Sequence, residues 1–126
     1  MMGRLFLIIG SLVGLTTVIL GAFGAHTLEG QLSAQQLTWW HKAVTYQGLH
    51  SLALLVTGLL ALNLAASGVL KWAGWLFLAG ILLFSGSLYA LALSGIHALG
   101  MITPFGGLAF IAGWTCLTVG AWRLAQ

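Results

Sequence analysis

"SGIHALGMITP", residues 94–104, decides the fold. It interrupts a stretch from Trp72 to Trp122, 51 residues that carry no formal charge apart from any on His97. One helix of that length would run ~77 Å at 1.5 Å per residue, more than twice the hydrocarbon thickness, whereas two helices fit. Gly95, Gly100 and the only proline, Pro104, punctuate the run at this point. Thr103 followed by Pro104 predicts an N-cap and a first turn, so the expected crossings are 72–93 and 104–124.

Working outward, "SGVLK" (67–71) is expected to be a short turn, and before it an apolar run leads back to Ala43. The second crossing is therefore expected over 43–66. Its helix is expected to begin earlier, over an interfacial stretch 34–42, because Ser33 can cap the first turn while Gln36 reaches back to it. Trp39 and Trp40 are expected to mark the membrane interface. Leu5 to Ala25 forms an uncharged first crossing (5–25), longer than the apolar core of a signal peptide. The composition agrees: of 126 residues 60% are hydrophobic, only 4% are charged, and the mean hydropathy is +1.08. The expected class is all-α: a polytopic four-helix bundle in the membrane, with 1–126 as one integral membrane domain.

Four crossings put Arg4, Lys71 and Arg123 at one end and Lys42 at the other. The positive-inside rule then places both termini in the cytoplasm of a cell bounded by this plasma (inner) membrane. Trp72, Trp75 and Trp122 would form the inner aromatic belt. Four scattered cations make no basic stripe, so no nucleic-acid partner is expected. The single cysteine, Cys116, lies deep in an apolar segment and cannot form an intrachain disulfide.

"GAHTL" (24–28) and "GIHAL" (95–99) both read Gly-x-His-x-Leu at the outer end of an outward-going helix. A parallel repeat of two hairpins would produce that echo, and so would chance in a chain rich in Gly and Leu. Small residues should mark helix contacts, since lipid tails are as apolar as leucine. Gly10 and Gly14 form a GxxxG pair, and Gly106, Gly113 and Gly120 repeat every seven residues along the fourth crossing. Gly86 and Ala90 could act likewise on the third. Packing within one bundle is the expected use; a homo-oligomer contact is the alternative.

The polar residues suggest a site. On the second crossing Tyr46, Gln47 and His50 are spaced to share a face. His26 ends the first crossing, and Tyr89 and His97 end the third. Intramembrane polar groups turn inward or toward a wet cavity. The expectation is one cluster of His26, Tyr46, Gln47, His50, Tyr89 and His97 beneath the outer surface, whether it ties the helices together or binds a ligand. No HxH or HxxxH pair supports a metal site, and no CxxCH supports haem. The metal question stays open, and no cofactor is expected. With no Asp and one loop acid, Glu29, paired-carboxylate catalysis, a magnesium site and a triad carboxylate are not expected.

"GAFGAH" (21–26), "YQGLH" (46–50), "SGSLYAL" (85–91), "TPFGG" (103–107) and "FIAGW" (110–114) occur in order along nearly the whole chain. In this the sequence resembles the small four-helix membrane proteins of domain-of-unknown-function family 423, whose animal relatives are called transmembrane protein 256. The resemblance implies an inner- or plasma-membrane protein and brings no activity with it. It carries motif membership, without a role, to His26, Tyr46, Gln47, His50, Tyr89, Pro104, Gly106 and Gly107. The expected function is a non-enzymatic oligomeric or accessory module, its partners the lipid bilayer, further copies of itself or another membrane protein. The alternatives are a small transporter or channel, which needs a wet path lined by groups such as Ser11, Thr16, Thr17, Thr57 and Asn63, and a metal- or haem-binding membrane protein.

Overall fold

A computed structural model describes residues 1–63, 68–124 and 126. Helix α1 (Met2–Phe23) runs on into a π-helical turn, Gly24–Leu28, and α2 spans Ala34–Asn63. The third crossing is α3 (Gly68–Gly80), a π turn (Ile81–Ser85) and α4 (Gly86–Ser94); the fourth is a 3-10 turn (His97–Met101) and α5 (Thr103–Leu124). Met2–Leu28, Ala34–Asn63, Gly68–Ser94 and His97–Leu124 are each long and apolar enough to cross a membrane. Among the described residues no strand forms, so the chain is a four-helix membrane bundle.

The ends of these helices follow local chemistry. Ser33 N–H donates to Gln36 Oε1 (3.0 Å) and Gln36 N–H to Ser33 Oγ (3.2 Å), the reciprocal cap that starts α2. Gly95 ends α4 in the left-handed region, φ 69°, with its N–H on Leu91 O. The matching Gly24 is helical, φ −61°, so the Gly-x-His-x-Leu echo does not repeat in the backbone. The expected 67–71 turn is corrected over Gly68–Lys71, which are already helical; Ser67 and the expected end of the second crossing at 64–66 lie outside the described residues. Thr103 is itself helical, and its hydroxyl meets Ser87 Oγ at 2.7 Å instead of capping α5.

Helices α2 and α3–α4 are the most buried crossings, and α1 and α5 flank them. α1 lies along α2, and α5 along α3. Glycines set these approaches: a Cβ on Gly3 would meet Gly58 O and one on Gly10 would meet Leu55, while one on Gly14 would stand 3.7 Å from Ser51 Oγ, an ordinary contact. Gly106, Gly113 and Gly120 face Phe84, Phe77 and Leu70 of the third crossing, so their seven-residue stripe packs within the chain. Phe6, Leu54 and Phe77 are fully buried and fill the axis. At one end Trp40 is buried over Gly24 with Nε1–H on Leu20 O (3.0 Å), a lock between the first and second helices.

Candidate functional site

Trp40 and not Ala43 stands beside the end of the first crossing, so α2 packs along the first helix from Trp40 onward. His50 lies ten residues further along, ~15 Å deeper. Its neighbours are Phe77, Phe110 and Trp114, which fall in the middle third of their own crossings. The expected position near the outer face is therefore corrected: His50 sits at mid-bundle depth, far below His26 and His97. His97 instead meets the edge of Trp39, ring centroids 5.7 Å apart. Among the described residues neither His26 nor His97 is hydrogen-bonded to the other expected members, and no three His, Cys, Asp or Glu side chains form a metal-holding group.

The remaining four residues divide between two flanks of α2. At 100° per residue, Tyr46 and His50 are 40° apart while Gln47 is offset 60° from His50 on the other side. Because α2 is central, that offset points Gln47 toward α1 and His50 toward α5. Gln47 Nε2–H donates to Val13 O (3.2 Å) and Thr16 Oγ1 (3.0 Å), and its Oε1 accepts from Tyr89 Oη–H at 2.6 Å. Beside it Ser85 Oγ–H, on the π turn, donates to Ala43 O (2.7 Å). This flank cross-links three helices with every side-chain donor engaged.

On the other flank Trp114 Nε1–H donates to His50 Nε2 at 3.0 Å. Indole is a donor only, so Nε2 carries the lone pair; the proton is then assigned to Nδ1, which donates to Tyr46 O at 2.7 Å. Both ring nitrogens are satisfied in the neutral form. The imidazole also lies flat on Phe110, centroids 3.5 Å apart and planes at 9°. Above it the Tyr46 ring rests on Phe84 at 4.4 Å. The π turn that carries Phe84 inserts an extra residue into the third crossing, a feature common at functional sites.

Between α2 and α5 these side chains leave a cleft of about 350 Å³, lined by Tyr46, His50, Phe84, Gly107, Phe110 and Trp114, with Leu49 and Ile111 at its mouth. Leu49 and Ile111 are exposed on the bundle surface, so the cleft opens sideways, toward lipid. A second cleft of about 250 Å³ lies over Gln47 and Tyr89, bordered by Gly86. The sequence pattern did not single out Trp114 or Phe110. One signal was present: a tryptophan in mid-span, remote from either interface belt, needs a buried partner for its N–H.

The helices and these flanks define a class: a small polytopic α-helical membrane protein with hydrogen-bonded side chains between its helices. The chain belongs to the family described as "Protein of unknown function (DUF423)", whose profile matches residues 20–107. It is 48% identical over 118 residues to the UPF0382 membrane protein YwdK of Bacillus subtilis (strain 168), covering 94% of this chain and 96% of the relative. It is also 48% identical over 122 residues to the UPF0382 membrane protein SAB0533 of Staphylococcus aureus (strain bovine RF122 / ET3-1), covering 97% and 98%. No solved structure matches the chain.

Proposed function

We propose that the protein is a non-enzymatic accessory module of the plasma (inner) membrane, with both termini cytoplasmic, that takes a lipid-soluble molecule into the cleft between α2 and α5. One observation carries this: a cleft of small-molecule size opens at the lipid-facing surface over mid-span His50 and Trp114. Gly107 supports it. A Cβ there would meet nothing within 4 Å, so no neighbour requires glycine. Glycine costs a helix interior about 1 kcal/mol relative to alanine, and here it keeps the cleft open. The filled axis of Phe6, Leu54 and Phe77 favours lateral binding over a channel. Any oligomer contact would use the outward faces of α1 and α5, since the glycine stripe of α5 is occupied within the chain.

Native mass spectrometry of the protein released from mild detergent tests this. The wild type should carry a reproducible added mass on a multiple of 13.2 kDa, and Gly107→Leu, whose Cβ has free space and whose longer side chain would occupy the cleft, should lose it. An added mass equal in both proteins, or absent from the wild type, contradicts the proposal.

A further inference from the structure

The geometry points to a flat, conjugated ring bearing a carbonyl oxygen and a hydrocarbon tail as the molecule that the α2–α5 cleft holds, with the carbonyl on the Tyr46 phenol. This rests on the cleft being a ligand site and names its chemistry. A molecule that enters sideways between Leu49 and Ile111 arrives from the hydrocarbon, so it carries a tail soluble there. Of the eight lining residues five are rings: Tyr46, His50, Phe84, Phe110 and Trp114. An acyl chain has no need of such walls, whereas a planar conjugated ring packs on them by offset stacking and edge contacts.

The polar atoms of the cleft select the ligand further. The Trp114 N–H is taken by His50 Nε2, and the His50 Nδ1–H by Tyr46 O. Gln47, Thr16 and Tyr89 bond one another on the far side of α2. Tyr46 Oη is different: it makes no hydrogen bond with any described residue, and Tyr46 is exposed at the cleft. Its donor faces a cleft that opens on the lipid-facing surface, and a lone O–H in hydrocarbon is costly. A phenol donates more strongly than it accepts, because its lone pair is delocalised into the ring. The partner that satisfies it is an acceptor such as a carbonyl. Gly107 leaves room beside Phe110 for the ring. Together these requirements describe the chemistry of a tailed quinone.

The test uses the full chain in lipid nanodiscs and two probes of matched size, decylbenzoquinone and decylbenzene. Saturable one-to-one binding of decylbenzoquinone is expected, with decylbenzene much weaker. Tyr46→Phe should weaken the quinone about tenfold, the value of one hydrogen bond in an apolar site, and Gly107→Leu should abolish binding. Equal binding of the two probes, both lost in Gly107→Leu, would overturn the carbonyl assignment while leaving the lateral cleft as a ligand site. Quinone binding unchanged by Tyr46→Phe has the same meaning. No binding of the quinone to the wild type, or binding that survives Gly107→Leu, overturns the inference outright.

Discussion

The two flanks of α2 begin from the same materials and end differently. Each has a tyrosine and a second polar side chain, a cleft above them, and a bordering glycine, Gly86 or Gly107, whose Cβ would meet nothing within 4 Å. Toward α1 the tyrosine is tied down, Tyr89 Oη–H on Gln47 Oε1, and the set is closed. Toward α5 the imidazole is closed by Trp114 and Tyr46 O, and the Tyr46 phenol is left over. Hydrogen-bond closure makes the flank toward α1 a structural strut, whereas the flank toward α5 leaves one donor beside an open volume, the feature on which the proposed ligand site rests. Three residues on one helix, Tyr46, Gln47 and His50, supply both.

The comparison can be broken at several points. The largest contrast is between adjacent glycines. A Cβ on Gly106 would collide with the Phe84 backbone, so Gly106→Ala should cost about 3 kcal/mol, whereas Gly107→Ala should leave stability unchanged or raise it by up to about 1 kcal/mol. Thermal unfolding of both variants in one detergent reads the difference. His50→Ala comes next. It removes the ring on Phe110 and orphans the Trp114 N–H, at a cost of about 2 kcal/mol, while Trp114→Phe leaves His50 Nε2 unpaired but keeps the imidazole stacked on Phe110, and should cost less, about 1 kcal/mol. In the wild type, 15N NMR of His50 should show a protonated Nδ1 and a bare Nε2; the reverse tautomer would undo the assigned geometry.

On the closed flank Gln47→Leu should cost about 1–2 kcal/mol by stranding the Tyr89 O–H, measured by chemical denaturation. The smallest effect is the sharpest test of closure against leftover. Tyr89→Phe should lose about 1 kcal/mol, while Tyr46→Phe, with no bond to lose, should stay within about 0.5 kcal/mol of the wild type. Equal losses would place a hidden partner on Tyr46.

Short-range rules made the frame legible in the sequence. The Ser33–Gln36 cap, the break after Gly95 and the four apolar runs each follow from residues within a few positions of one another. The stripe Gly106, Gly113 and Gly120 marked a contact face correctly, though only the structure names Phe84, Phe77 and Leu70 as its partners. The depth of His50 was not legible. It depends on the register in which Trp40 settles over Gly24, a contact between two helices. The split of Tyr46 and His50 from Gln47 was hidden for a related reason: which side of α2 is inward depends on its central place in the bundle. The Trp114–His50 bond joins residues 64 apart, and the π turn at Ile81–Ser85 has no short sequence signature.

The most direct measurement of the central claim, that the flank toward α5 is a receptor open to the membrane, is photolabelling with a lipid-soluble diazirine in native membranes. Lipid faces are exposed all round the bundle, so Leu12 and Leu15 on α1 serve as the internal standard. The account predicts labelling concentrated at Leu49, Ile111 and Trp114, above that standard and lost in Gly107→Leu. Labelling at the cleft no greater than on α1, and indifferent to Gly107→Leu, would contradict it.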